Sequence, residues 1–423
     1  MESDFLMTGV KRITLDNGLR VLLATGPKPK KTVLMVGFRV GSAYEDDGKA
    51  GLFHFLEHIL FKSTKMKKSK KILEELEDEG AEVNALTDYH YTILHAKMLP
   101  HLTIKTLNSF FEMVANPEYN TIELERERKV VLDEMENNKD DHLMYANDFF
   151  LSSLFPGQYL GRHVLGDFST LKTITKDDLE EAKRKYYVSN NIAIAIVGKF
   201  NEQEILRAIR DTFGKLEPEK PSPVLPDIAI ANSQTIKMIP RDALSSQAYL
   251  CLGYKVPGSN HKDYPRLVLL DSVLSGGMSS RLFIALREQR GIGYQVGTNL
   301  IDFGNAGAFY AFIPGFYKKG LQNAVKVILA EFQKLKKTNV SCLELERAKS
   351  RFISRYEDAL EEPETWASQI LMKEFFGGPY DFRKFARYIK KLGPRDVQKT
   401  AQEYLTDDYT LTALLPKGFT PFK

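Results

Sequence analysis

Apolar positions along this chain fall into two kinds of run. Leu19 to Ala24 and Thr32 to Val40 are short, almost continuous apolar stretches around a Pro/Lys-rich connection, and they predict two strands. Tyr91 to Met98 predicts another, with helical patterns on either side. Leu52 to Phe61 is apolar almost all round, which predicts a buried helix. Thr121 to Asn138 reads differently. Projected at 100° per residue, Leu124, Val130, Val131 and Met135 make one apolar stripe, and Glu125, Asp133 and Glu136 fall on the opposite, solvated side.

The pattern repeats. Ile122-Glu123-Leu124-Glu125-Arg126 recurs 221 residues later as Leu343-Glu344-Leu345-Glu346-Arg347. Asp178-Leu179 with Tyr186 recurs 218 residues later as Asp396-Val397 with Tyr404. Each of this second pair of helices leads into an apolar strand, Ile192 to Val197 and Thr410 to Leu415. Two matches at nearly one offset predict a duplicated domain of roughly 200 residues. Between the copies, Pro218, Pro221, Pro223 and Pro226 rule out a helix interior or a central strand. The expected division is a first domain over 1–217, a linker over 218–235 and a second domain over 236–423. Strands do not alternate regularly with single helices, so the expected class is α+β, with helices packed on one sheet face.

Composition narrows the partners. Apolar residues make up 43% of the 423, charged residues 27%, and the net charge is +4. That is an ordinary soluble surface with no argument for nucleic acid. The local run Lys65, Lys67, Lys68, Lys70 and Lys71 reads as a solvated helix start. Cys251 and Cys342 are the two cysteines; they offer neither a disulfide framework nor a Cys-x-x-Cys site. The N-terminal residues lack the pattern of a leader, and no apolar run approaches the ~18 residues of a membrane span. The expectation is a soluble cytoplasmic protein with no membrane partner.

The sharpest local feature is His54-Phe55-Leu56-Glu57-His58. On a helix, positions i, i+3 and i+4 share a face, so His54, Glu57 and His58 project together. Two imidazoles and a carboxylate on a buried helix are costly unless something satisfies them, and a metal ion does. Two His at i, i+4 bind one zinc, and the carboxylate one turn away holds the attacking water. This is the inverted form of the His-Glu-x-x-His motif. A catalytic zinc takes a third protein ligand and keeps an open position. Glu127 and Glu134 both fall on the core-facing stripe of the 121–138 helix, and both are candidates.

With these two helices in view, the whole chain resembles the pitrilysin, insulysin and mitochondrial processing peptidase family. Glu134 stands 76 residues after His58, where the family has its third zinc ligand, and Glu127 matches the supporting Glu seven residues earlier. The second half has no such motif, as in the family's duplicated architecture. Gly80-Ala81-Glu82-Val83-Asn84-Ala85, followed by Thr87, is similar to the family's substrate-side strand; read without the family, it is an ordinary turn into a strand. Arg287 and Tyr294 match an Arg and a Tyr that the family places on the second domain, facing the zinc across a cleft, and Ser275-Gly276-Gly277-Met278 is similar to its Gly-rich loop.

The resemblance implies two homologous domains, each a mostly antiparallel sheet with helices on one face. It implies one Zn2+ per chain on His54, His58 and Glu134, Glu57 as general base, and Glu127 in support. Asn84 and Ala85 would bind substrate by edge pairing, and Arg287 and Tyr294 would reach in as catalytic and substrate-binding groups. Substrates would be peptides or unfolded segments. The chain would act as a homodimer, or as a heterodimer with an inactive sister chain. The alternative implied by decayed relatives is a non-catalytic partner or structural subunit.

Overall fold

A computed structural model describes residues 10–25, 30–62, 69–219, 225, 227–377 and 382–420. Lys65, Lys67 and Lys68 of the basic run, and most of the Pro-rich stretch, lie outside the described residues. The strands are β1 (Val10–Thr14), β2 (Arg20–Ala24), β3 (Thr32–Phe38), β4 (Glu82–Thr87), β5 (Thr92–Met98), β6 (Ile192–Val197), β7 (Thr235–Arg241), β8 (Gln247–Pro257), β9 (Gly297–Asp302), β10 (Ala306–Tyr317) and β11 (Thr410–Pro416). The helices up to the Pro-rich stretch are α1 (Leu52–Leu60), α2 (Ser69–Glu77), α3 (Thr103–Ala115), α4 (Thr121–Asp140), α5 (His142–Leu154), α6 (Phe168–Thr173), α7 (Lys176–Tyr186) and α8 (Glu202–Asp211). Those after it are α9 (Tyr264–Ser275), α10 (Leu321–Lys337), α11 (Cys342–Glu361), α12 (Pro363–Phe376), α13 (Phe382–Lys391) and α14 (Pro394–Tyr404).

The class is α+β, in two sheets. One has the order β1-β2-β6-β3-β5-β4 and the other β7-β11-β8-β10-β9. In the first, β2 and β6 are parallel, while β6-β3, β3-β5 and β5-β4 are antiparallel. In the second, β7 and β11 are parallel, while β11-β8, β8-β10 and β10-β9 are antiparallel. Strand for strand the topology is the same, with β1 added to the first sheet, and this is the duplication the sequence offsets predict. The paired helices agree in detail. At the start of both α7 and α14 the aspartate at the third position, Asp178 or Asp396, accepts the N-cap backbone N–H, and both helices bury the next residue, Leu179 or Val397.

The compact units are not contiguous in sequence. One unit takes residues 1–136, 162–226 and 358–377; the other takes 137–161, 227–357 and 378–423. Thus α12 belongs with the first sheet and α5 with the second. The first sheet packs one face on helices of its own half around Phe53, Phe55, Leu107, Phe110 and Ile194. Its other face carries Leu22, Val33, Met35 and Ile93, and α12 covers them with Trp366, Ile370, Leu371 and Phe375. Strand β3 is buried at all seven positions because both its faces are covered. Gly37 makes the close approach: a Cβ there would fall 2.6 Å from Leu371 Cδ2.

Candidate metal centre

Helix α1 follows β3 after a connection over residues 39–51 that contains two 3-10 turns, Ser42–Tyr44 and Asp47–Lys49. Gly51, with φ +92°, sits at its N-cap, and a Cβ there would fall 2.4 Å from the Leu165 carbonyl oxygen, so glycine alone fits. The carboxylate of Glu45 accepts the backbone N–H of Gly51 and of Phe53, both at 2.8 Å, and Thr170 Oγ1 donates to the Ala50 carbonyl at 2.7 Å. Phe53, Phe55, Leu56, Ile59 and Leu60 bury the helix, and His54 and Glu57 are buried with them. The expected span and environment of this helix are observed.

Helix α4 brings the third donor. Its buried residues are Leu124, Glu127, Val131 and Met135. Val130, expected in the same stripe, is instead 44% exposed. Successive residues are 100° apart on a helix, so Val130 and Val131 cannot both face one partner, and the core takes Val131. Glu127 lies deep in the stripe and Glu134 at its edge, with 3% and 40% of their side chains exposed.

Three donor atoms converge. Glu134 Oε2 lies 3.8 Å from His54 Nε2 and 3.6 Å from His58 Nε2. The imidazole centroids are 4.7 Å apart at 63°. Ligand atoms of a tetrahedral zinc with bonds of about 2.0–2.1 Å stand roughly 3.3 Å apart, so Glu134 Oε2 is within a few tenths of an ångström of that spacing from each imidazole nitrogen, and all three donor atoms lie within 4.8 Å of one another. Two imidazoles and one carboxylate are the donor set of a three-ligand catalytic site. Glu57 stands on the same helix face, and Thr87 Oγ1, at the end of β4, donates to its Oε2 at 2.7 Å. Behind His58, Glu127 Oε2 lies 3.3 Å from Nδ1, and Lys62 Nζ lies 3.0 Å from Glu127 Oε1. His54 Nδ1, by contrast, is buried with no hydrogen-bond partner among the described residues.

The electrostatics follow from burial and these pairs. Burial, then the neighbouring His58, pulls His54 below the ordinary histidine value and keeps it neutral. Burial pulls on His58 too, but its hydrogen bonds to Glu127 and Glu134 outweigh that and raise it to about 9. Burial pushes the Glu57 carboxyl up, with the Thr87 hydroxyl in opposition. Burial also pushes at Glu127, but His58 and Lys62 prevail and hold its carboxyl below the usual range. The bond from His58 does the same for Glu134, against burial.

The other sequence candidates are placed as follows. Asn84 and Ala85 lie on β4, which ends the first sheet's strand order, and Asn84 Oδ1 accepts the Ala85 N–H at 2.8 Å. Arg287 and Tyr294 belong to the second unit and come together there. The Arg287 guanidinium lies 4.3 Å from the Tyr294 ring centroid and 4.7 Å from that of Phe283, and its Nη1 donates to the Tyr294 carbonyl at 3.0 Å. Arg287 sits in a π-helical turn, Phe283–Glu288, and Tyr294 is 78% exposed. Sequence reasoning missed the parts played by Glu45, Lys62 and Thr87. A basic residue just past α1 was the only signal for Lys62; Thr87 was visible only as part of the strand likened to a substrate-side strand, not as a partner of Glu57, and Glu45 had no signal.

Known proteins resemble this chain over nearly its whole length. The sequence profile "Insulinase (Peptidase family M16)" matches residues 20–167, and "Peptidase M16 inactive domain" matches residues 173–352. An uncharacterized zinc protease of Rickettsia felis is 30% identical over 94% of this chain and 93% of its own. One from Bacillus subtilis, also described as uncharacterized, is 27% identical over 97% of this chain and 100% of its own. The crystal structure of a protease from Helicobacter pylori superposes with a TM-score of 0.90 at 24% identity, over 96% of this chain and 99% of that one. Among the described residues, no helix is long and apolar enough to cross a membrane.

Proposed function

This chain belongs to peptidase family M16, and from that premise we propose that it is a zinc-dependent endopeptidase acting on peptides or unfolded polypeptide segments. The reading is carried by the convergence of His54 Nε2, His58 Nε2 and Glu134 Oε2, with the Glu57 carboxylate on the same helix face. One Zn2+ per chain, held by those three residues, supplies Lewis acidity towards a scissile carbonyl and lowers the pKa of a water.

The chain's own groups do the rest. Thr87 holds Glu57 by Oε2, leaving Oε1 to take a proton from the attacking water and return it to the leaving amine nitrogen. Glu127 takes the Nδ1–H of His58, which leaves Nε2, on the side of Glu134, as the nitrogen that would bind the metal. At the edge of the first sheet, Asn84 and Ala85 pair with an extended peptide backbone, a mode that tolerates many sequences. Arg287 and Tyr294 donate hydrogen bonds to the peptide or to the developing oxyanion. The chain works as a cytoplasmic homodimer or beside an inactive sister chain.

The test is cleavage of an unstructured peptide by the purified chain alone. Cleavage should stop with chelator and return with added zinc, with products read by mass spectrometry. A zinc-loaded chain that leaves the peptide intact would be a non-catalytic partner subunit instead.

A further inference from the structure

The two imidazoles of the centre are supported differently. His58 is held through its outer nitrogen by Glu127. His54 presents Nε2 to Glu134, and its Nδ1 has no hydrogen-bond partner among the described residues. A ligand histidine ordinarily donates its outer N–H to a carboxylate or carbonyl, which fixes tautomer and ring orientation. The ring of His54 therefore depends on its own backbone, in the first turn of α1.

That turn is clamped from outside. The four leading N–H groups of a helix lack intrahelical partners, and Gly51 at the N-cap has no side chain to offer. Glu45 does this work from six residues upstream. Its Oε2 accepts Gly51 N–H and its Oε1 accepts Phe53 N–H, each at 2.8 Å. The side chain is sunk in the fold, with Glu45 7% exposed. Arg162 holds the clamp in place, since its Nη1 donates to the Glu45 carbonyl at 3.1 Å and pairs with Asp47 at 2.9 Å. Burial raises the Glu45 carboxyl to about 8 against the pull of these amides and of Arg162, so the clamp rests on its two hydrogen bonds rather than on a charge at the helix pole. Glu45 Oε1 meets Phe53, the residue before His54.

We propose that Glu45 is the positioning residue for His54: by gripping the Gly51 and Phe53 amides it sets the first turn of α1 and so places the His54 imidazole opposite Glu134. Glu45 does through the backbone what Glu127 does through Nδ1 of His58. The role rests on His54 being a metal ligand.

Glu45→Gln keeps the volume and one acceptor, and Glu45→Ala removes both. Zinc affinity of the purified chain, measured by competition with a chromophoric chelator, should fall about tenfold or more in the Gln variant, the scale of outer partners of metal ligands, and further in the Ala variant. Amide hydrogen exchange of residues 51–55, measured without zinc, should quicken in both variants while α4 and α7 keep wild-type rates. A purely structural role would lower the melting temperature and leave the zinc dissociation constant of the folded chain unchanged, and that result overturns the proposal, as does wild-type exchange at 51–55. The Gln variant carries the test should the Ala variant not fold. A wild type that takes up no zinc would instead sink the metal reading itself, together with this role.

Discussion

Glu127 and His58 are 69 residues apart in sequence, yet Glu127 Oε2 and His58 Nδ1 lie 3.3 Å apart. The carboxylate is almost fully buried and its second oxygen meets Lys62. Such a pair fixes which ring nitrogen is free to bind. Glu127→Gln should therefore leave the fold intact and weaken zinc binding by about 10- to 100-fold in chelator competition. Wild-type affinity in that variant would remove Glu127 from the supporting role.

Glu57→Gln separates binding from chemistry. The amide can still accept from Thr87 but cannot take a proton from water. Zinc content should match the wild type while peptide turnover falls by about 10²- to 10⁴-fold. Thr87→Val removes the hydroxyl that steadies Oε2, and its smaller loss should appear in kcat. Turnover at the wild-type rate in the Gln variant would mean that another group is the base.

The covering of the first sheet by α12 can be tested where the two touch. Leu371 is fully buried against β3. Leu371→Ala should cost about 2–5 kcal/mol, as core truncations do. Gly37→Val places atoms where a Cβ already stands 2.6 Å from Leu371 Cδ2, and overpacking of this kind costs about 1–3 kcal/mol. Urea unfolding followed by circular dichroism reads both; wild-type midpoints would mean that α12 does not bear on this face in solution.

Asp271 gives the second unit a pH signature. Burial, only partly offset by the bond from Thr298 at 2.6 Å, raises its carboxyl to about 6. The folded chain thus holds this proton more tightly than the unfolded chain. The stabilisation is complete below about pH 4 and is lost as the pH rises through about 6, roughly 2–3 kcal/mol in all. Asp271→Asn, which still accepts from Thr298, should remove that slope. Thermal melts between pH 4 and 8 check it, and identical slopes in both proteins would refute it.

Much of this was legible in advance because it is local. The places of α1, α4, β6 and β11 follow, to within two residues at each end, from apolar patterning within one segment, and such a pattern records which face a segment buries. The spacing of His54, Glu57 and His58 states that three side chains share a helix face before any fold is known. Val130 shows the limit. A hydrophobic residue beside the stripe looks like part of it, and only the packing of α4 decides that Val131 goes in and Val130 stays out.

By itself the sequence determined the α+β class, the duplication and the two histidines that share a face of α1, since each is written in spacing along one stretch or in likeness between two. The tertiary structure alone decided that α12 and α5 cross to the other half's sheet. It alone decided that Lys62 meets Glu127, that Thr87 meets Glu57 and that Glu45 grips the first turn of α1. Those are hydrogen bonds, ion pairs and apolar contacts between segments with no periodic relation to one another. Their partners are selected by burial and by the need to satisfy each buried polar group, which act only once the chain has closed on itself.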